Sequence, residues 1–187
     1  PVLKGSVSNP VLKIGIHLPA GTGIQKITTI SGKINKEIIT QIKSIELFYS
    51  AAEPFTNAQL FSSLSGQELK ENFEIKCDKT ISAGIHFIWF NILLHENADD
   101  RYKLKLSCTA VELDYKTKIL INTPFTQNRV GTVIRKAGDD GVHTYRIPGL
   151  IKTDKGTLIS VYDIRYTTNR DLPGNIDVGA SRSLDTG

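Results

Sequence analysis

Long apolar runs are missing from this chain of 187 residues. The best of them, residues 85–94, reaches about half of the roughly 20 residues a helix needs to cross a bilayer, and His86 and Asn91 interrupt it, so no membrane span is expected. A basic start followed by an apolar stretch and a small-residue cleavage site is missing too. An exported protein of this sequence would therefore have lost its signal peptide already. Basic runs are equally scarce: 23 Lys and Arg stand singly among 19 Asp and Glu, for a net charge of +4, with no aromatic-interleaved stripe. That pattern argues against a nucleic-acid surface. The four histidines are isolated from one another and from the cysteines, so neither a metal site nor a cofactor is expected. Cysteine itself occurs twice, at Cys77 and Cys108. Each lies on the apolar side of an alternating run, Phe73-Ile75-Cys77 and Leu104-Leu106-Cys108, which reads as two buried thiols pointing into a sheet, although an exported setting permits a disulfide.

What is present is alternation. With 40% hydrophobic residues the chain is long enough for one or two cores. Period-two segments at 11–18, 24–30, 42–49, 72–77, 85–94, 104–113 and 118–121 are rich in β-branched and aromatic residues and separated by turn formers, which predicts a β-sandwich. Residues 57–70 are less regular and leave room for a helical turn. The segment 122–128 reads as a link, placing a domain boundary near Pro124 and dividing the chain into 1–124 and 125–187. Further strands are predicted at 130–136, 146–152, 157–164 and 177–182, with Thr153-Asp154-Lys155-Gly156 as a hairpin connection. Residues 85–90 are apolar on both faces; they read as a central strand buried between two sheets, with an aromatic sugar platform around Trp89 as the competing possibility.

The chemistry concentrates near the end. Tyr145-Arg146-Ile147-Pro148 is followed by Asp163-Ile164-Arg165-Tyr166 and then Asp171. A guanidinium is a planar, permanently charged fork that pairs bidentately with a carboxylate, and a nearby aspartate can be tuned for proton transfer. Together they point to an acidic substrate and acid chemistry. Two plainer readings stand beside this one. Arg165 can serve as a structural brace to Asp163 or Asp177, and Asp171 sits in the polar loop 167–174, where aspartate is common for turn reasons.

These residues resemble the start of a bacterial sialidase catalytic domain, of the kind found in Bacteroides-like organisms. The Tyr145–Pro148 tetrapeptide is similar to that family's F/Y-R-I-P motif, residues 156–166 resemble the strand after it, and Ser183-Leu184-Asp185-Thr186-Gly187 resembles the opening of an Asp-box, or BNR repeat. The resemblance implies an all-β protein: an N-terminal β-sandwich accessory domain at 1–124, then the first blade of a six-bladed β-propeller at 125–187, truncated in this chain. It implies a secreted or periplasmic exo-α-sialidase, a retaining glycoside hydrolase that removes terminal sialic acid from sialylated glycans. Arg146 corresponds to the first of three arginines that hold the substrate carboxylate, Arg165 to one that lines the sugar, and Asp171 to the acid/base. Sialidases use a tyrosine nucleophile paired with a glutamate. Neither has a matching position here, so the remainder of the catalytic domain is an expected partner and the 187 residues alone are expected to be inactive. A non-catalytic carbohydrate-binding module and a trans-sialidase are the alternatives.

Overall fold

Alternation of apolar and polar residues makes a strand one-sided, and one-sided sheets must pair their apolar faces. The computed structural model describes residues 1–53, 55–114, 116–121 and 124–184, and its regular structure is strand apart from short 3-10 turns at Lys36–Gln41, Phe55–Asn57 and Asp139–Gly141. Its first ten strands are β1 (Val2–Lys4), β2 (Pro10–Leu18), β3 (Gln25–Ile34), β4 (Ile42–Ser50), β5 (Gln59–Ser65), β6 (Asn72–Ile81), β7 (Gly84–Leu94), β8 (Lys103–Leu113), β9 (Thr117–Leu120) and β10 (Thr126–Thr132). The last three are β11 (Thr144–Lys152), β12 (Leu158–Arg165) and β13 (Ile176–Ser183). The chain divides into two compact units, 1–131 and 132–187.

The first unit is a sandwich. One sheet runs β2-β7-β4-β5; the other runs β1-β10-β8-β3-β6, with β9 also paired to β8. Every second residue of the central strands is sealed between them: Ile45 and Leu47 of β4, Ile88, Phe90 and Ile92 of β7, and Leu104 and Leu106 of β8 are fully buried. Each such side chain contributes about 1.5–3 kcal/mol by leaving water. His86, also buried, keeps its ring satisfied: Nε2 donates to the Ser82 carbonyl at 2.7 Å, which leaves Nδ1 to accept from the Tyr49 hydroxyl at 2.8 Å. Both cysteines are buried and neither forms a disulfide; burial pushes each thiol up to about 11.

Four local readings change. Residues 59–65, left open to a helical turn, form β5, because Ser44–Tyr49 supplies a strand edge for Gln59–Ser65 to pair with. The segment 126–128, read as part of a link, is strand: Thr126–Arg129 pairs with Lys103–Leu106 beside β9, so two short strands share one edge of β8. The strand expected at 130–136 accordingly starts and ends earlier, at 126–132. Trp89 is not sealed between sheets. Odd residues of β7 face away from the core, where Trp89 is half-buried beside Phe55, at 5.6 Å between ring centroids, and under the Lys13 ammonium.

The second unit is one antiparallel sheet, β11-β12-β13. The predicted hairpin at 153–156 closes with Gly156 N–H donating to the Thr153 carbonyl at 2.9 Å, and Gly156 takes the positive φ of +86° that the turn requires. Asp185, Thr186 and Gly187, on which the Asp-box reading falls, lie outside the described residues. Among the described residues no helix is long and apolar enough to cross a membrane.

Candidate active site

Register decides which side chains of the second unit meet. Arg146 of β11 stands opposite Asp163 of β12, and Thr144 stands opposite Arg165. Residues two apart share a face, so Asp163 and Arg165 project together and Arg146 joins them from the neighbouring strand. The pairing slips between Arg146 and Gly149, leaving Ile147 and Pro148 opposite one residue of β12. Ile147 adopts φ +53°, a left-handed conformation that costs a β-branched residue on the order of 1–3 kcal/mol. This strained bulge lies immediately after Arg146 and ends its regular pairing.

The two guanidiniums converge. Arg146 Nη1 donates to the Asn169 carbonyl at 2.8 Å, and Arg165 Nη1 donates to the same oxygen at 2.9 Å. Arg165 Nη2 donates to Asp163 Oδ2 at 2.9 Å and to Asp171 Oδ1 at 2.7 Å, while Arg146 Nη1 lies 3.9 Å from Asp171 Oδ1. Exposure separates the members: the Arg165 side chain is 2% exposed, Asp163 25%, Arg146 42% and Asp171 79%. Arg165 also keeps a buried Nε with no hydrogen-bond partner among the described residues. The hydrogen bond from Arg165, then its charge, hold the Asp171 carboxyl below the usual carboxylate range, with a lesser pull from Arg146. In return Asp163 first, and Asp171 second, raise the Arg165 guanidinium. Asp171 opens onto a surface depression of about 510 Å³ lined by Thr168, Arg170, Leu172, Pro173 and Gly174.

The opposite face of the sheet carries a different network. Tyr145 and Tyr162 meet edge to face at 5.5 Å, Arg135 Nε donates to the Tyr162 hydroxyl at 3.0 Å, and that hydroxyl lies 2.8 Å from Ser181 Oγ. Ser181 first, then Arg135, lower the Tyr162 phenol. The Tyr166 hydroxyl donates to Asp177 Oδ2 at 2.9 Å.

The structure thus brings Arg146, Arg165 and Asp171 together. Of the brace partners considered for Arg165, Asp163 is engaged and Asp177 is not. Sequence reasoning missed the bridging Asn169 carbonyl, which no side-chain pattern announces. Asp163 enters the sequence reading only as a structural brace for Arg165, and it takes that place inside the cluster, beside Asp171 on the same guanidinium.

Comparison with known proteins adds three findings. The family model described as the N-terminal domain of BNR-repeat neuraminidase matches residues 1–117. A curated sialidase of Bacteroides fragilis (strain YCH46) is 30% identical over 176 residues, covering 80% of this chain and 32% of the relative. This chain therefore spans about a third of that relative's length. Among solved structures, the Hadza microbial sialidase Hz136 superimposes with a TM-score of 0.81 at 22% identity, covering all of this chain and 40% of that one, a likeness of fold. The match across residues 1–117 places this chain in the family of BNR-repeat neuraminidases.

Proposed function

We propose that this chain belongs to a retaining exo-α-sialidase, exported from the cell, that hydrolyses terminal sialic acids of glycans. In this reading the accessory domain expected at 1–124 runs on to residue 131, because β10 belongs to its sheet, and 132–187, not 125–187, begin the catalytic propeller. The observation that carries it is the convergence of Arg146 and Arg165 on the Asn169 carbonyl, with Asp171 at the mouth of a depression. Two forks aimed at one oxygen suit an anionic sugar, whose carboxylate pairs with the more exposed Arg146 while Arg165 lines the ring. Asp171 supplies the proton to the leaving oxygen and then activates water.

The second unit also supports a blade that other blades flank. Leu150, Ile151 and Val178 are 70%, 63% and 79% exposed, which is costly unless further protein covers them. A propeller blade has four strands, one more than β11-β12-β13 supply. Tyr145 and Tyr162 face away from the arginines, so the tyrosine nucleophile is expected from sequence outside these 187 residues. The test is release of sialic acid from a fluorogenic sialoside by the product of the complete gene. Arg146→Ala is expected to lower kcat/KM about 100-fold or more, and Asp171→Ala to do so most for poor leaving groups. Residues 1–187 alone are expected to show no turnover. Full activity in Arg146→Ala would sink the reading.

A further inference from the structure

The loop that carries Asp171 faces two ways. At its neck the Tyr166 N–H donates to the Asn175 carbonyl at 3.4 Å, and the arginines of the sheet hold its Asn169 carbonyl. A loop tied at those points presents residues 170–174 as a group, and together with Thr168 they wall the depression of about 510 Å³, within the roughly 300–1,000 Å³ of small-molecule sites. Arg146 and Arg165 are not part of that wall. Asp171 is therefore the residue that the guanidinium cluster and the depression share, since its Oδ1 accepts from Arg165 while the residue borders the hollow.

In the site reading above, on which this inference rests, the substrate carboxylate lies against the arginines and Asp171 protonates the leaving oxygen. Whatever is bonded to that oxygen then extends past Asp171 and over the depression. The walls suit a charged sugar: Leu172, 80% exposed, and Pro173 offer apolar surface for the C–H face of a ring, and Arg170 offers a planar charged fork. Arg170 is exposed, its backbone N–H donates to Thr168 Oγ1 at 3.3 Å, and among the described residues its guanidinium has neither a hydrogen bond nor an ion pair. The carboxylates in and beside the loop are committed elsewhere, Asp163 and Asp171 to Arg165 and Asp177 to the Tyr166 hydroxyl. We propose that the depression receives the leaving group and that Arg170 is a specificity-determining residue, favouring sialosides whose leaving sugar carries a second negative charge, a sulfate ester or a carboxylate. The exposed setting makes that preference modest and sensitive to salt.

The experiment compares kcat/KM, for the protein expressed from its complete gene, on sialyllactose, on the same compound sulfated at its galactose, and on disialyllactose, whose inner sialic acid becomes part of the leaving group. The expected result is a preference of about three- to tenfold over sialyllactose for one or both of the other substrates at low ionic strength, shrinking in added salt. Preference for the sulfated compound alone identifies a sulfate site, and preference for disialyllactose alone a carboxylate site. In Arg170→Gln the ratio to sialyllactose falls towards one, whatever happens to the common rate, and Arg170→Lys restores part of it. Arg182→Gln, which removes an exposed charge near the far end of β13, leaves the ratio as it was. Equal rates on the three substrates, with cleavage still dependent on Arg146, overturn this inference alone, as does a preference that survives Arg170→Gln. No cleavage of any of them, or cleavage indifferent to Arg146→Ala, brings down the site reading and this inference with it.

Discussion

The two units solve the problem of holding a sheet together in opposite ways. The sandwich of residues 1–131 seals a continuous apolar core between two sheets, with isoleucines of β3, β4, β6 and β7 at essentially zero exposure. The three-stranded sheet of residues 132–187 has no such layer. Among its described residues the buried ones are Val142, Ser160, Tyr162, Arg165 and Gly179, and large aliphatic side chains such as Leu150 and Val178 face outward. The first unit is therefore stabilised mainly by burial. The second depends on hydrogen bonds and ion pairs, which contribute little net energy each but fix geometry closely. That division suits their proposed tasks: a support that must stay folded, and a charged cluster whose geometry must be held.

The sharpest way to break this contrast is to remove matched apolar mass from each unit. Ile45→Ala in β4 empties a fully buried position and is expected to cost about 2–5 kcal/mol in urea denaturation. In residues 1–187, Ile151→Ala in β11 removes a side chain that is 63% exposed and should change stability by no more than about 0.5 kcal/mol. Equal losses would mean that the second sheet has an apolar core of its own.

A second test uses a device the units share. Gly32 of β3 pairs with Phe73, and Gly179 of β13 pairs with Tyr162; in both, the aromatic ring lies across the glycine. A Cβ on Gly32 would meet Phe73 Cζ at 2.3 Å, and one on Gly179 would meet Tyr162 Cε2 at 2.4 Å. Either Gly→Ala change should therefore cost about 1–3 kcal/mol by forcing the ring off its seat. Gly15, opposite Phe87, is the control. A Cβ there would stand 3.9 Å from the ring, so Gly15→Ala should be neutral within about 0.5 kcal/mol. The Gly179→Ala effect should also appear in the signals of Tyr162, Arg135 and Ser181, while Gly32→Ala leaves those unchanged.

Period two was legible wherever a strand has one wet and one dry face, which is why β2, β4, β6, β7 and β8 were all anticipated from their residues. It fails where edge pairing, not alternation, makes the strand. Of the seven residues of β5 none is fully buried, and β10 borrows its order from β8; neither carries a pattern of its own. Trp89 was misread for a related reason. An apolar residue on the outer side of a strand looks the same in sequence whether a second sheet or only a short 3-10 turn such as the one bearing Phe55 covers it. At the charged cluster, side-chain types announced Arg146, Arg165 and Asp171, whereas the Asn169 carbonyl depends on backbone direction in a loop, which residue types do not encode.

The smallest expected effect separates the units most cleanly, because both cysteines belong to the sandwich. Burial holds the Cys77 and Cys108 thiols at about 11, raised from 9.0, so almost none of either is thiolate at pH 8. Since only the thiolate is alkylated, iodoacetamide at that pH should modify them at the rate at which the sandwich opens, far more slowly than a free thiol standard. The raised values also set a direction. The folded state keeps its advantage below pH 9.0 and loses it as pH climbs towards 11, because the unfolded chain releases those protons first. Ile45→Ala should speed labelling, and Gly179→Ala should not. Fast labelling in the unmodified chain, or equal acceleration by both substitutions, would show that the sandwich does not hold together independently of the sheet that follows it.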